Sequence, residues 1–80
     1  MLHRILLYSK PGCHLCEIAH QLLLGLHREF ELTIEEMDIT QDPSLYEKYW
    51  DKIPVIVVDN HTTLAAPIRV AEVRAALSSS

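Results

Sequence analysis

Leu2-His3-Arg4-Ile5-Leu6-Leu7-Tyr8-Ser9-Lys10-Pro11-Gly12-Cys13-His14-Leu15-Cys16 changes its structural period partway along, and that change decides the fold. Leu2 to Tyr8 is a short apolar run closed by Ser9-Lys10-Pro11-Gly12, which reads as a buried strand ended by a loop. From Cys13 onward the spacing is helical. Leu15, Ile18, Ala19, Leu22, Leu23 and Leu26 recur at i, i+3, i+4, i+7, i+8 and i+11, which marks one apolar helix face. Glycine inside a helix costs about 1 kcal/mol relative to alanine, so Gly25 belongs at the helix end or at a close packing contact.

Working outward, Leu32 to Ile39 reads as a second strand whose alternation breaks. Leu32 and Ile34 share one parity while Met37 and Ile39 take the other, and a bulge near Glu35-Glu36 would reconcile them. Asp42-Pro43 opens a short helix, with Asp as cap and Pro at the first helical position, and Leu45, Tyr46, Tyr49 and Trp50 give it an apolar face. Ile53 to Val58 is a β-branched strand carrying Pro54, and Asp59-Asn60 tolerates the positive φ of a hairpin turn into Thr62–Ala65. Pro67 to Leu77 closes the chain as a helix with Val70, Val73 and Leu77 facing inward. The order is β-α-β-α-β-β-α. Its β-α-β start implies a parallel pair with a right-handed crossover, and the hairpin adds antiparallel strands. A single α/β domain over residues 1–80 is expected, a four-stranded mixed sheet with helices on both faces, with residues 78–80 as a disordered tail.

Composition narrows the class of function. Hydrophobic residues make up 49% of the 80-residue chain, which favours a packed core over disorder. The net charge of −4, with the seven Lys and Arg scattered, argues against nucleic-acid binding. No segment approaches the roughly 18 apolar residues of a membrane span. The run after Arg4 is too short for a secretory signal, and no small-residue cleavage site follows it. A cytoplasmic location is therefore expected. Only two cysteines are present, three positions apart, unlike the framework of a secreted disulfide-stapled domain. In a reducing compartment such a pair suggests redox chemistry or a metal.

Cys13 falls at the strand-to-helix junction, where a helix N-terminus concentrates partial positive charge and unpaired N–H groups. A thiolate is favoured there. Cys16 lies one turn further on, so the two sulfurs can meet in a short disulfide loop. Cys13, nearer the helix start, is placed to attack, and Cys16, closer to the apolar face, to resolve the mixed disulfide. The bland alternatives are a stabilising disulfide or two inert core thiols. A four-residue loop constrains the unfolded chain little, and packing gives no reason for both cysteines to sit at this turn. Pro54, on its own residues, reads as a trans proline opening a strand.

Tyr8-Ser9-Lys10-Pro11-Gly12-Cys13-His14-Leu15-Cys16 resembles the strand, loop and active site of the glutaredoxins, usually threonine or serine, lysine, proline, glycine, then CPYC. Asp38-Ile39 with Asp42-Pro43, Ile53-Pro54-Val55 and Val58-Asp59-Asn60 resemble later segments of that family in order and spacing across nearly the whole chain. The resemblance implies the thioredoxin fold and a thiol-disulfide oxidoreductase acting on protein disulfides or glutathione mixed disulfides. It implies Cys13 as nucleophile, Cys16 as resolving cysteine and Lys10 as a contact to a glutathione carboxylate. Ile53 would pair its backbone with a bound peptide, and Pro54 would be a cis-proline facing the active site. No bound cofactor is implied. Glutathione is a possible co-substrate, glutathione or a thioredoxin-type reductase would recharge the dithiol, and a monomer is expected.

The departures point in a definite direction. His14-Leu15 replaces Pro-Tyr, and a protonated His14 would stabilise the Cys13 thiolate, unless it is simply solvated. The family's Gly-Gly step and acidic cap are replaced by Ala65-Ala66-Pro67-Ile68-Arg69, whose methyl groups would crowd a glutathione wall. Two rival readings remain. Cys13, Cys16 and His20 at i, i+3 and i+7 offer three soft ligands for zinc or an iron–sulfur cluster, with the fourth supplied only by a partner copy. Otherwise His20 is a polar residue on the solvated helix face. His3, His27 and His61 show no metal spacing with the cysteines. The second rival is an interaction module with Tyr46, Tyr49 and Trp50 as partner surface, which would not need both cysteines.

Overall fold

Strand β1 (Leu2–Ser9) sorts its residues to two faces, with His3, Ile5, Leu7 and Ser9 buried and Leu2 and Arg4 exposed. The computed structural model describes residues 2–78. After β1 come α1 (His14–Gly25), a 3-10 turn (Leu26–Arg28), β2 (Glu31–Asp38), a 3-10 turn (Ile39–Gln41) and α2 (Pro43–Tyr49). The chain closes with β3 (Val55–Val58), β4 (Thr62–Ala65) and α3 (Val70–Ser78). The sheet order is β2-β1-β3-β4, with β1 parallel to β2 and the other pairs antiparallel. The expected α/β architecture is thus present.

Ile5 and Leu7 pack with Ala19, Leu23 and Leu26 from the α1 segment, Val73 and Leu77 from α3, and Ile56 and Val58 from β3. Each of these valine, leucine and isoleucine side chains gains about 1.5–3 kcal/mol on burial. The opposite face meets α2, where Tyr49 stacks on Tyr8 with ring centroids 4.7 Å apart. Asp42 Oδ1 accepts from the amides of Ser44 (2.9 Å) and Leu45 (3.4 Å) with Pro43 following, the expected cap. Asp59 and Asn60 take φ of 53° and 57° in the hairpin turn, also as expected.

Several boundaries and faces differ from the sequence reading. No bulge interrupts β2, whose register runs unbroken from Leu2↔Glu31 to Ser9↔Asp38. Leu32, Ile34, Glu36 and Asp38 therefore all lie on the face that α1 covers, and Ile39 is buried outside the strand. Strand β3 starts at Val55 because Pro54 has no N–H for the ladder. Helix α3 starts at Val70, which is exposed, rather than at Pro67. Ser78 is its last residue, and Ser79 and Ser80 lie outside the described residues. On α1 the buried positions are Cys16, Ala19 and Leu23, while Leu15 and Ile18 are 59% and 50% exposed at its first turns. Tyr46 and Trp50 are exposed as well, since two turns of helix turn only Leu45 and Tyr49 toward the sheet.

Gly25 is the last residue of α1, with φ −63° and ψ −31° and nothing within 4 Å of an added Cβ. It sits at the helix end and not at a packing contact. Gly25→Ala should therefore stabilise the fold by about 0.5–1 kcal/mol, raising Tm by about 2–8 °C in a thermal melt. A lowered Tm would contradict this account of the position.

One polar link ties β1 to the hairpin turn. Buried His3 donates through Nδ1 to Asp59 Oδ2 at 2.7 Å, and the Arg4 amide donates to Asp59 Oδ1 at 2.8 Å. The hydrogen bond from His3, followed by that from Arg4, holds the Asp59 carboxyl below its ordinary value of 3.8. A depressed carboxyl contributes stability that is present above the unfolded pKa and lost as pH falls through the folded one. Urea midpoints should accordingly fall on acidification below about pH 4, and Asp59→Asn should flatten that limb. An unchanged acid limb in the variant would show that another group carries it.

Candidate redox site

Beyond Ser9 the chain turns through Lys10-Pro11-Gly12, and the Cys13 amide donates to the Lys10 carbonyl at 3.3 Å. Gly12 has φ +77°, a conformation that costs other L-residues about 1–2 kcal/mol, so glycine is favoured there. The turn delivers Cys13 to the N-cap of α1, where its Sγ accepts from the Cys16 amide at 3.2 Å. The two sulfurs are bonded to each other, with Cα atoms 5.2 Å apart. Cys13 is half-buried, whereas Cys16 is only 2% exposed. The accessible sulfur thus sits at the positive end of the helix, with an amide already aimed at it, and the shielded one lies a turn behind.

The other expected site residues divide between two walls. Tyr8 pairs with Val55, so one further step of that register sets Pro54 level with Ser9, at the edge of the cysteine loop. The Ile53-Pro54 peptide is cis, as the resemblance implied, and so is Ala66-Pro67. Ala65 pairs with Val55, and the Ala66 amide donates to the Lys52 carbonyl at 3.3 Å. The Ala65-Ala66 step therefore stands beside the Ile53-Pro54 segment. The Ile53 amide is already bonded to the Tyr49 carbonyl at 3.1 Å, which leaves pairing with a peptide to its carbonyl.

The second wall was not read from the sequence. A cavity of about 800 Å³ opens between the cysteine loop, α1 and the end of β2. Lys10, His14 and His20 border it, with Glu36 and Asp38 contributed by β2, whereas Ile53 and Pro54 do not. Ser9, buried behind the loop, donates its hydroxyl to Glu36 Oε2 at 2.8 Å. Asp38 accepts from the Thr40 hydroxyl (2.6 Å) and amide (2.9 Å), which hold its carboxyl below the ordinary carboxylate value. The broken alternation of β2 was the available signal for both carboxylates. His14 is exposed, with Nδ1 3.8 Å from Glu17 Oε2. His20 is half-buried at the cavity rather than on a solvated face. Among the described residues, no group of three or more His, Cys, Asp or Glu side chains is arranged to hold a metal ion. No helix among them is long and apolar enough to cross a membrane.

A β-α-β-α-β-β-α domain with a CxxC disulfide at the first helix N-terminus has the thioredoxin fold and is fitted to a thiol redox role. Residues 4–78 match the family described as glutaredoxin-like domain (DUF836), and the chain belongs to that family. A structural-genomics target protein from X. campestris, known from an X-ray structure, is similar at 26% identity and a TM-score of 0.77. That match covers 95% of this chain and 97% of the other. A Nitrosomonas europaea protein solved by NMR matches at 25% identity and a TM-score of 0.79, covering 91% and 88%. A malarial protein shares the fold at 15% identity and a TM-score of 0.73, covering 99% and 97%. No curated protein is a detectable relative.

Proposed function

We propose that the protein is a dithiol oxidoreductase that reduces disulfides through Cys13 and Cys16. The observation that carries this reading is the asymmetry of the pair, an accessible sulfur at the N-cap of α1 and a shielded one a turn behind it. The Cys13 thiolate attacks one sulfur of a substrate disulfide, forming a mixed disulfide and expelling the other half as a thiolate. The Cys16 thiolate then attacks Cys13 Sγ, releasing the remaining half and forming the internal disulfide. Two electrons pass to the substrate, and a second thiol system restores them.

Protein disulfides are the favoured substrates. Leu15 and Ile18 present apolar surface beside the disulfide, and an extended segment would run along the Ile53-Pro54 edge. Lys10 and His14 flank the entry and would contact charged groups of the substrate. The Ala65 and Ala66 methyl groups stand where glutaredoxins carry glycine, so glutathione is accommodated less well. Recharging falls to glutathione or to a thioredoxin-type reductase in the cytoplasm.

The test offers reduced protein a protein disulfide, neutral 2-hydroxyethyl disulfide and glutathione disulfide. Exchange with the first two supports the reading, and none with any of the three overturns it. Replacing Ala65 and Ala66 together by glycine should raise the rate with glutathione disulfide several-fold. An unchanged rate would show that these methyl groups do not obstruct glutathione.

A further inference from the structure

We infer that His20 is the proton acceptor for the Cys16 thiol when Cys16 resolves the mixed disulfide, an inference that rests on the oxidoreductase reading above. Cys16 is buried, and only the thiolate form of a cysteine attacks a disulfide. The resolving step therefore needs a base on the cavity side of α1. His20 follows Cys16 by four residues on that helix, the spacing that brings side chains together, and helical side chains lean back toward the N-terminus. Both residues border the 800 Å³ cavity, and His20 is half-buried there.

The other charged groups at this cavity lie on the cysteine loop, on β2 and in the first turn of α1. Lys10, from the loop, is a cation and cannot accept a proton. Glu36 and Asp38, from β2, already accept from Ser9 and from Thr40. His14 and Glu17, in the first turn of α1, are exposed and face each other at 3.8 Å. Among the described residues the His20 imidazole takes part in no hydrogen bond or ion pair. It is thus an imidazole at this cavity that no hydrogen bond or ion pair holds, one turn from Cys16 on the same helix.

The Cys16 thiol proton passes to the imidazole, directly or across one water, as Cys16 Sγ attacks Cys13 Sγ. The bond between Cys13 and the substrate half breaks, the Cys13–Cys16 bond forms, and the departing thiolate takes a proton from the imidazolium or from solvent.

The test is a single-turnover reaction of reduced protein with 2-hydroxyethyl disulfide between pH 5 and 9, quenched with acid and read by intact mass. His20→Gln should let the mixed disulfide accumulate, with resolution slowed at least about tenfold at pH 7 and rising with hydroxide instead of levelling off. The first attack, measured in a Cys16→Ser background, should stay within about twofold of its value with His20 present. Added imidazole should restore resolution in His20→Ala. Resolution at the wild-type rate with the wild-type pH profile in His20→Gln would overturn the assignment. So would a loss in Glu36→Gln that His20→Gln does not share. Wild-type protein that forms no mixed disulfide at any pH would instead sink the oxidoreductase reading itself.

Discussion

Cys13→Ser is expected to abolish disulfide exchange, by about a thousandfold or more, whereas Cys16→Ser is expected to stop the reaction at a mixed disulfide. The difference follows from position. Cys13 Sγ at the N-cap is accessible and receives the Cys16 amide, so its loss removes the attacking group. Cys16 is buried behind it, so its loss spares the first attack and removes only the release step. Intact mass after incubation with 2-hydroxyethyl disulfide separates the cases, because only Cys16→Ser should carry a covalent adduct. Equal residual activity in the two variants, or an adduct on Cys13→Ser, would reverse the assignment of roles.

The largest expected effect on stability is at Leu7. This residue is fully buried in β1, between β2 and β3, and packs against both α1 and α3. Leu7→Ala should cost about 3–5 kcal/mol, from lost transfer energy and the cavity left behind. A domain of this size holds about 5–10 kcal/mol in all, so Tm should fall by about 12–40 °C. Leu15→Ala, by contrast, should change stability by no more than about 0.5 kcal/mol, because Leu15 is 59% exposed. Similar losses in the two variants would mean that Leu15 packs inward after all.

That contrast also shows what the sequence could and could not reveal. The order of elements was legible because β-branched runs, helical spacing, the Asp42-Pro43 cap and the Asp59-Asn60 turn all acted locally. The cysteine pair was legible for the same reason, since its chemistry depends on one turn of one helix. Burial on α1 was not. Period assigns a residue to a face, but only tertiary packing decides whether another element covers that face, and Leu15 and Ile18 are left largely exposed. The carboxylates of β2 escaped for a related reason. Glu36 and Asp38 share the core-side parity of Leu32 and Ile34, yet α1 leaves a cavity over them, so acidic residues occupy positions that alternation marks as apolar. A break in alternation therefore signalled a cavity beside the disulfide, where the sequence alone suggested a bulge.

The central claim, that Cys13 and Cys16 form a working redox couple, is tested most directly by a redox titration of metal-free protein in glutathione buffers, followed by thiol alkylation and intact mass. A reversible interconversion differing by two hydrogen atoms is expected, with a midpoint between about −120 and −270 mV. Thiols that never form the internal disulfide across that range, and that are instead protected from alkylation by added zinc or iron, would contradict it and make Cys13 a metal ligand.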